Sequence, residues 1–271
     1  MKRIFINLIS ITFATLLTGA PLAAWEVKAM NDTISSANFI VNSGCSGTLI
    51  SKEHGLILTN HHCLRGGIKV VSKKVTGKDG KISSIQVEEL VDLDVSQRAY
   101  IGHQLVGEAT YKAEIIARWK ESDLALLKTR SALPNSIEAK VFPGKEVIRG
   151  ETVYVVGNPA GLGATVTKGI ISSTTRMFRA PWADNAEVSF LQIDAGMTGG
   201  NSGGSLFNNV GELIGVPAAG VRGNGHLGFA IPFFRVQEFL TNNCWGGIWN
   251  ENAETRKDCQ QRLEDEAKGD K

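Results

Sequence analysis

From Asn38 to Pro232 the chain is cut by turn residues into short apolar runs, and this punctuation excludes most folds. The first series reads Asn38–Val41, Ser46–Ile50, Leu56–Thr59, Ile68–Val71, Ile85–Leu90, Ala113–Ile116 and Leu124–Leu127. The second reads Thr152–Val156, Thr165–Ser172, Val188–Ile193, Glu212–Val216 and Gly228–Ile231. Many short runs bounded by Gly, Asn and Asp indicate a β-sandwich or β-barrel rather than alternating strands and helices. The 30 glycines fit a chain of many tight turns. Between the two series, residues 131–146 carry Pro134, Asn135, Pro143 and Gly144 and read as a linker. Helical periodicity is clear only at Phe233–Leu240 and Ala253–Ala267. No repeat of fixed period is visible, although the two series are similar in size.

The first residues have another purpose. Met1-Lys2-Arg3 is followed by an apolar run from Ile4 to Leu17 and by Thr18-Gly19-Ala20-Pro21-Leu22-Ala23-Ala24. A positive start, an apolar middle and a small-residue exit make a secretory signal peptide over residues 1–24. The run is too short and too polar for a membrane span. Cleavage is expected after Ala24, with Val27-Lys28-Ala29 as the second site. No cysteine lies near either, so no lipid anchor is expected. The mature chain is expected to be exported, to the periplasm or outside the cell, with no membrane anchor.

Processing leaves about 245 residues, enough for one large domain or two small ones. Hydrophobic residues make up 42% and charged residues 21%, which supports a packed core. A formal charge of +2 and no Lys/Arg stripe argue against a nucleic-acid partner. The Lys-rich stretch Lys69–Lys81 reads as a solvated hairpin.

Three stretches carry chemistry. Gly199-Gly200-Asn201-Ser202-Gly203-Gly204 places a hydroxyl among glycines. Such a turn approaches a substrate closely and points backbone N–H groups at one spot, where an oxyanion sits. Leu58-Thr59-Asn60-His61-His62-Cys63 ends a strand in two histidines, and Glu121-Ser122-Asp123 opens another strand with a carboxylate. Nucleophile, base and base-orienter are the three parts that an activated serine requires. His61, His62 and Cys63 also offer zinc-ligand atoms, but adjacent residues rarely converge on one ion, and no paired ligand spacing supports them. Neither a metal nor a cofactor is expected.

The order His, Asp, Ser and the motifs around them resemble the trypsin-like serine proteases. Gly200–Gly204, Leu213-Ile214-Gly215 and Gly228-Phe229-Ala230-Ile231-Pro232 are most similar to bacterial HtrA-like proteases. Gly55–Cys63 and Thr198–Ser202 also resemble bacterial dipeptidyl-peptidases on the same core. The resemblance spans about residues 38–232 through short motifs. It implies an all-β, chymotrypsin-like double β-barrel with a short C-terminal helical tail. The domains would be a first barrel over 30–130, the linker, a second barrel over 147–235 and a tail over 236–271. The chain is too short for the helical domain of the dipeptidyl-peptidases, and no PDZ domain is expected after the second series, so an endopeptidase acting on proteins or peptides is the expected activity. Oligomeric state is not readable.

The resemblance assigns roles residue by residue. His62 is the base, Asp123 its orienter and Ser202 the nucleophile, with the N–H groups of Gly200 and Ser202 as the oxyanion hole. His61 is expected to point away, and Asp194, His54, His103 and His226 to be structural. Of three possible cysteine pairings, the family pattern favours Cys45–Cys63 and so Cys244–Cys259. Gly196 falls at the base of the specificity pocket, with Ala218, Ala219, Gly220 and Gly228 on its walls. These small residues imply an apolar or medium-sized side chain before the scissile bond; His226 could instead meet an acidic one. Asn201 stands where zymogens of the family carry an Asp, so no activation by a freed N-terminus is expected. A serine esterase of another fold and a catalytically silent binding module remain as alternatives. The esterase fold would need its serine before its acid and base.

Overall fold

The structure, a computed structural model, describes residues 37–42, 44–76, 81–101, 104–142, 146–180, 185–221 and 224–269. The expected signal peptide and its cleavage sites lie outside the described residues, as do His103, Pro143 and Gly144. In chain order the first half carries β1 (Asn38–Val41), β2 (Cys45–Ser51), β3 (Leu56–Thr59), β4 (Ile68–Thr76), β5 (Ile82–Leu90), β6 (Leu93–Ile101), β7 (Gln104–Trp119) and β8 (Leu124–Thr129). The second half carries β9 (Lys140–Val141), β10 (Thr152–Gly157), β11 (Thr165–Ala180), β12 (Ala186–Ile193), β13 (Ser205–Asn208), β14 (Glu212–Val221) and β15 (Asn224–Pro232). Two helices follow, α1 (Phe233–Asn242) and α2 (Arg256–Gly269).

Each series closes on itself. The first barrel runs β1-β2-β3-β8-β7-β6 and returns from β6 to β1. The second runs β13-β10-β11-β12-β15-β14 and closes through β13 against β14, with β9 added parallel to β14. The double β-barrel is therefore observed, and closure removes the sheet edges that would otherwise template aggregation.

Why the strands nearest the site are apolar without alternation follows from burial on both faces. In β3, Ile57 packs inside the first barrel with Phe39, Leu49 and Leu127. Its neighbours Leu56 and Leu58 face the other way, into a cluster that contains Val155, Phe207 and Ile231 of the second barrel. Strand β8 repeats this, with Ala125 and Leu127 inward and Leu124 and Leu126 toward the second barrel. Successive side chains alternate faces, so a strand wedged between two cores reads as a continuous apolar run.

Three strands escaped the sequence reading: β6, β13 and the two-residue β9 within the expected linker. β6 alternates Leu93, Val95 and Gln97 inward, and the polar Gln97 hid the pattern. Its side-chain oxygen accepts from Ser136 Oγ at 2.8 Å, which satisfies the buried amide. β13 spans only four residues directly after the glycine turn and is stabilised by pairing on both sides, with β10 and β14. The Lys-rich stretch does form an exposed hairpin, β4 with β5, where Lys73 pairs with Glu89 at 3.0 Å. Within 131–146, Leu133, Ala139 and Phe142 are buried and Ala139 N–H bonds the Leu49 carbonyl at 2.8 Å. At the C-terminal end, Phe233, Val236, Phe239 and Leu240 of α1 close the second core. The Cys244–Cys259 disulfide ties α2 back to the end of α1.

Candidate active site

His62 and the carboxylate of Asp123 come from adjoining strand ends of the first barrel. After β3, Asn60 is still extended, and the Cys63 N–H to Asn60 carbonyl bond at 3.2 Å curls His61–Leu64 into one tight turn. Asp123 ends the turn before β8 in the left-handed region, at φ 54°, a conformation that Asp tolerates better than most residues. Its side chain is fully buried, so its oxygens need partners. One carboxylate oxygen accepts the His62 backbone N–H at 2.9 Å, and the other lies 2.8 Å from His62 Nδ1. The Asp123 carbonyl accepts from His61 N–H at 3.1 Å and from Asn60 Nδ2 at 2.9 Å. A carboxylate only accepts, so Nδ1 carries the proton, and Nε2 is the nitrogen whose lone pair can take one. His61 has its own pKa pushed below 6.5, first by burial, against the opposing pull of Asp123.

The serine comes from the loop between β12 and β13. Gly200 and Gly203 have φ of +105° and +81°. A Cβ at Gly200 would collide with the Asn158 carbonyl, and one at Gly203 with Thr59 Oγ1 and the Ser46 carbonyl. Only glycine meets both demands at these positions. The loop is held by Asn201 N–H to the Thr198 carbonyl at 3.2 Å, Gly204 N–H to the Asn201 carbonyl at 3.0 Å and Gly203 N–H to the Pro217 carbonyl at 2.9 Å. Ser202 Oγ donates to the Ala218 carbonyl at 3.2 Å.

Two cavities meet at Ser202. One of about 350 Å³ is lined by His62, Cys45, Cys63, Arg65, Gly200 and Ser202 among others, so the histidine and the serine share it. Cys45 and Cys63 are joined, and that disulfide forms part of the wall. The two sulfurs and the His62 ring lie close enough to suggest a metal cluster. Sulfur committed to a disulfide is not the thiolate that a metal takes.

The other cavity, of about 410 Å³, is lined by Met197–Gly199, Ser202, Ala218–Val221 and Gly225. Ala218, Ala219 and Gly220 line this cavity together with Ser202. Gly196 and Gly228 are not among the lining residues. The Gly196 carbonyl accepts from Thr167 Oγ1 at 2.7 Å, and the Met197 side chain packs over Gly228. Met197, unremarked in the sequence, is among the residues that line this cavity. His226 is also outside this wall, and its ring nitrogen lies 3.3 Å from the Asp194 carbonyl. Asp194 itself accepts from the Ile170 N–H at 2.6 Å, and His54 packs edge-on against Trp245.

The elements from the disulfide to the first half of β14 fall in one recognisable stretch. Residues 45–216 match the family model described as the trypsin-like peptidase domain. The chain belongs to the trypsin-like peptidases. Within that family it is 30% identical over 192 residues to a probable periplasmic serine protease do/HhoA-like of Haemophilus influenzae, covering 69% of this chain and 34% of that relative. It is 31% identical over 200 residues to the periplasmic serine endoprotease DegP of Escherichia coli strain K12, covering 72% and 35%. A solved HtrA-type protease with a tripeptide shares the fold at a TM-score of 0.57 and 24% identity, covering 84% of this chain and 64% of that one. The chain therefore spans about a third of the length of these curated relatives. The HtrA-like resemblance read from Gly200–Gly204 is borne out. This trypsin-like peptidase also uses residues that its motifs did not flag, chiefly Ser46 and Asn158, which sit at the junction of the barrels.

Proposed function

We propose that this chain is an exported serine endopeptidase with His62 as base, Asp123 as its orienter, Ser202 as nucleophile and the N–H groups of Gly200 and Ser202 as oxyanion hole. The observation that carries the reading is the ring of His62, fixed by a buried carboxylate and opening on the cavity that holds Ser202. In the first step Ser202 Oγ bonds to the scissile carbonyl carbon and its proton passes to His62 Nε2. The oxygen of the tetrahedral intermediate takes the negative charge. His62 then gives the proton to the departing amine, the C–N bond breaks and an acyl-enzyme remains. Water, deprotonated by the same ring, releases it. Asp123 stabilises the imidazolium throughout and keeps its own charge.

The substrate would lie across both cavities. The side chain before the scissile bond enters the 410 Å³ cavity, where none of the described lining residues is charged. A small or medium apolar residue fits there beside Met197, Ala218 and Ala219. The leaving segment passes over the Cys45–Cys63 bridge. Export is supported by the leader-like residues 1–24 and by the periplasmic names of the relatives. Among the described residues no helix is long and apolar enough to cross a membrane. Fluorophosphonate labelling of Ser202, together with cleavage of peptides blocked at both ends, tests the reading. Labelling of another residue, or inertness toward every blocked peptide with the protein folded, would replace it with a silent module or an exopeptidase.

A further inference from the structure

We infer that Ser46, on β2 of the first barrel, is a positioning residue that holds the oxyanion loop in its working shape. The inference rests on the peptidase reading above. The two oxyanion N–H groups belong to the peptide planes Gly199–Gly200 and Asn201–Ser202. Ser46 grips the plane that follows each of them. Its hydroxyl lies 2.6 Å from the Gly200 carbonyl, and its N–H donates to the Ser202 carbonyl at 2.8 Å. The oxyanion planes are held in turn by Ala160 N–H on the Gly199 carbonyl at 2.9 Å and Gly204 N–H on the Asn201 carbonyl at 3.0 Å. In a trans peptide the C=O and the next N–H point opposite ways, so holding the carbonyls on one side aims the N–H groups at the other.

The hydroxyl's direction is forced. Ser46 Oγ also meets the Asn158 N–H at 2.8 Å and Asn158 Nδ2 at 3.1 Å, both donors. The Asn158 N–H can only donate and the Gly200 carbonyl can only accept, so the single hydroxyl proton goes to Gly200. Asn158 Nδ2 in turn reaches Asn38 Oδ1 at 2.7 Å and the Phe39 carbonyl at 2.9 Å, which ties the network to β1. Ser46 is fully buried and Asn158 nearly so, so this geometry is not diluted by water. Gly200, with no Cβ and a positive φ, has little backbone preference of its own. An outside clamp is what such a loop requires, and the uncharged Asn201 cannot supply the ion pair that forms when zymogens of the family are activated.

The test compares Ser46→Ala with Thr48→Val. Thr48 lies on the same strand and is as buried, and its hydroxyl also joins the barrels, but to Ser205 Oγ at 2.6 Å. Each purified protein is assayed for melting temperature, for kcat and KM on a blocked peptide, and for inhibition by the matching peptide aldehyde, which forms a tetrahedral adduct. Relative to Thr48→Val, Ser46→Ala is expected to lose about tenfold or more in kcat, with KM within about threefold and the aldehyde constant weakened in step. Equal kinetics in the two variants, whatever their melting temperatures, would overturn the positioning role and leave the peptidase reading intact. An inert wild type that fluorophosphonate does not label would instead overturn that reading, and the inference with it. Should Ser46→Ala not fold, Ser46→Thr keeps the oxygen: kcat and the aldehyde constant near wild type support the clamp, and a tenfold loss in a folded protein counts against it.

Discussion

The two barrels contribute to the site in different ways. In the first, His62 and Asp123 are assembled locally: four hydrogen bonds run from Asn60, His61 and His62 to Asp123, across the paired ends of β3 and β8. In the second, the Ser202 loop is held from both barrels. Its carbonyls are held by Ser46 of the first barrel and by the Asn158–Ala160 turn. The His62–Asp123 pair is thus held within one barrel, while the Ser202 loop takes hydrogen bonds from its own barrel and from Ser46 of the other. A side-chain pair needs one fixed distance, but a pair of N–H groups needs several peptide planes fixed at once.

The largest effects come from removing either reacting group. Ser202→Ala and His62→Ala are each expected to lower kcat by about 10⁶-fold, since members of a triad act as a unit. Steady-state cleavage of a blocked peptide measures this; full activity in either variant would dissolve the comparison, because one half would not be catalytic. Asp123→Asn is next, at about 10⁴-fold, because an amide at that place favours the wrong tautomer of His62. Its melting temperature should fall as well, since a neutral amide oxygen accepts the buried His62 N–H more weakly than a carboxylate does.

The disulfides sharpen the contrast further. They close loops of similar size, 18 and 15 residues apart in sequence, so each is worth roughly 3 kcal/mol in the chain-entropy model. Cys45→Ser should lower both melting temperature and activity, because Cys63 adjoins His62 and the bridge lines its cavity. Cys244→Ser should loosen the tail while leaving kcat within about twofold, because neither of its cysteines lines the cavities at Ser202. Parallel denaturation and kinetic curves separate the two; equal loss of activity would mean that the tail supports the site.

Met197→Ala is expected to act on choice of substrate. Opening the 410 Å³ cavity should move the preferred residue before the scissile bond toward larger side chains, by about tenfold in kcat/KM, which profiling with a peptide library reads out. An unchanged profile would place that side chain elsewhere.

The smallest effect is at His61. Its depressed pKa means that between that value and 6.5 the unfolded chain binds a proton that the folded one does not. Stability therefore falls as pH drops through this window. His61→Asn should keep kcat within about twofold and flatten the fall in melting temperature between about pH 7 and pH 5. An unchanged slope would mean that burial does not suppress this proton.

Much of this protein was legible in the residues themselves. Turn-punctuated short runs fix an all-β class, and the histidine, aspartate and serine lie in local motifs whose chemistry is readable because each sits at a strand end or glycine turn. The strand β6 was not legible, since Gln97 is an acceptable core residue only when Ser136 arrives from a distant segment. Nor was the pocket: Met197 lines the cavity and Gly196 does not, which composition does not record. The largest gap is the clasp between the barrels. Ser46, Asn158 and Gly200 are up to 154 residues apart, and a serine on a short strand carries no sign of the carbonyl it will hold. Local chemistry is written in neighbours along the chain; the aim of a backbone N–H depends on which distant oxygen, nitrogen or hydroxyl is packed against it, and that is settled only when the two barrels close on each other.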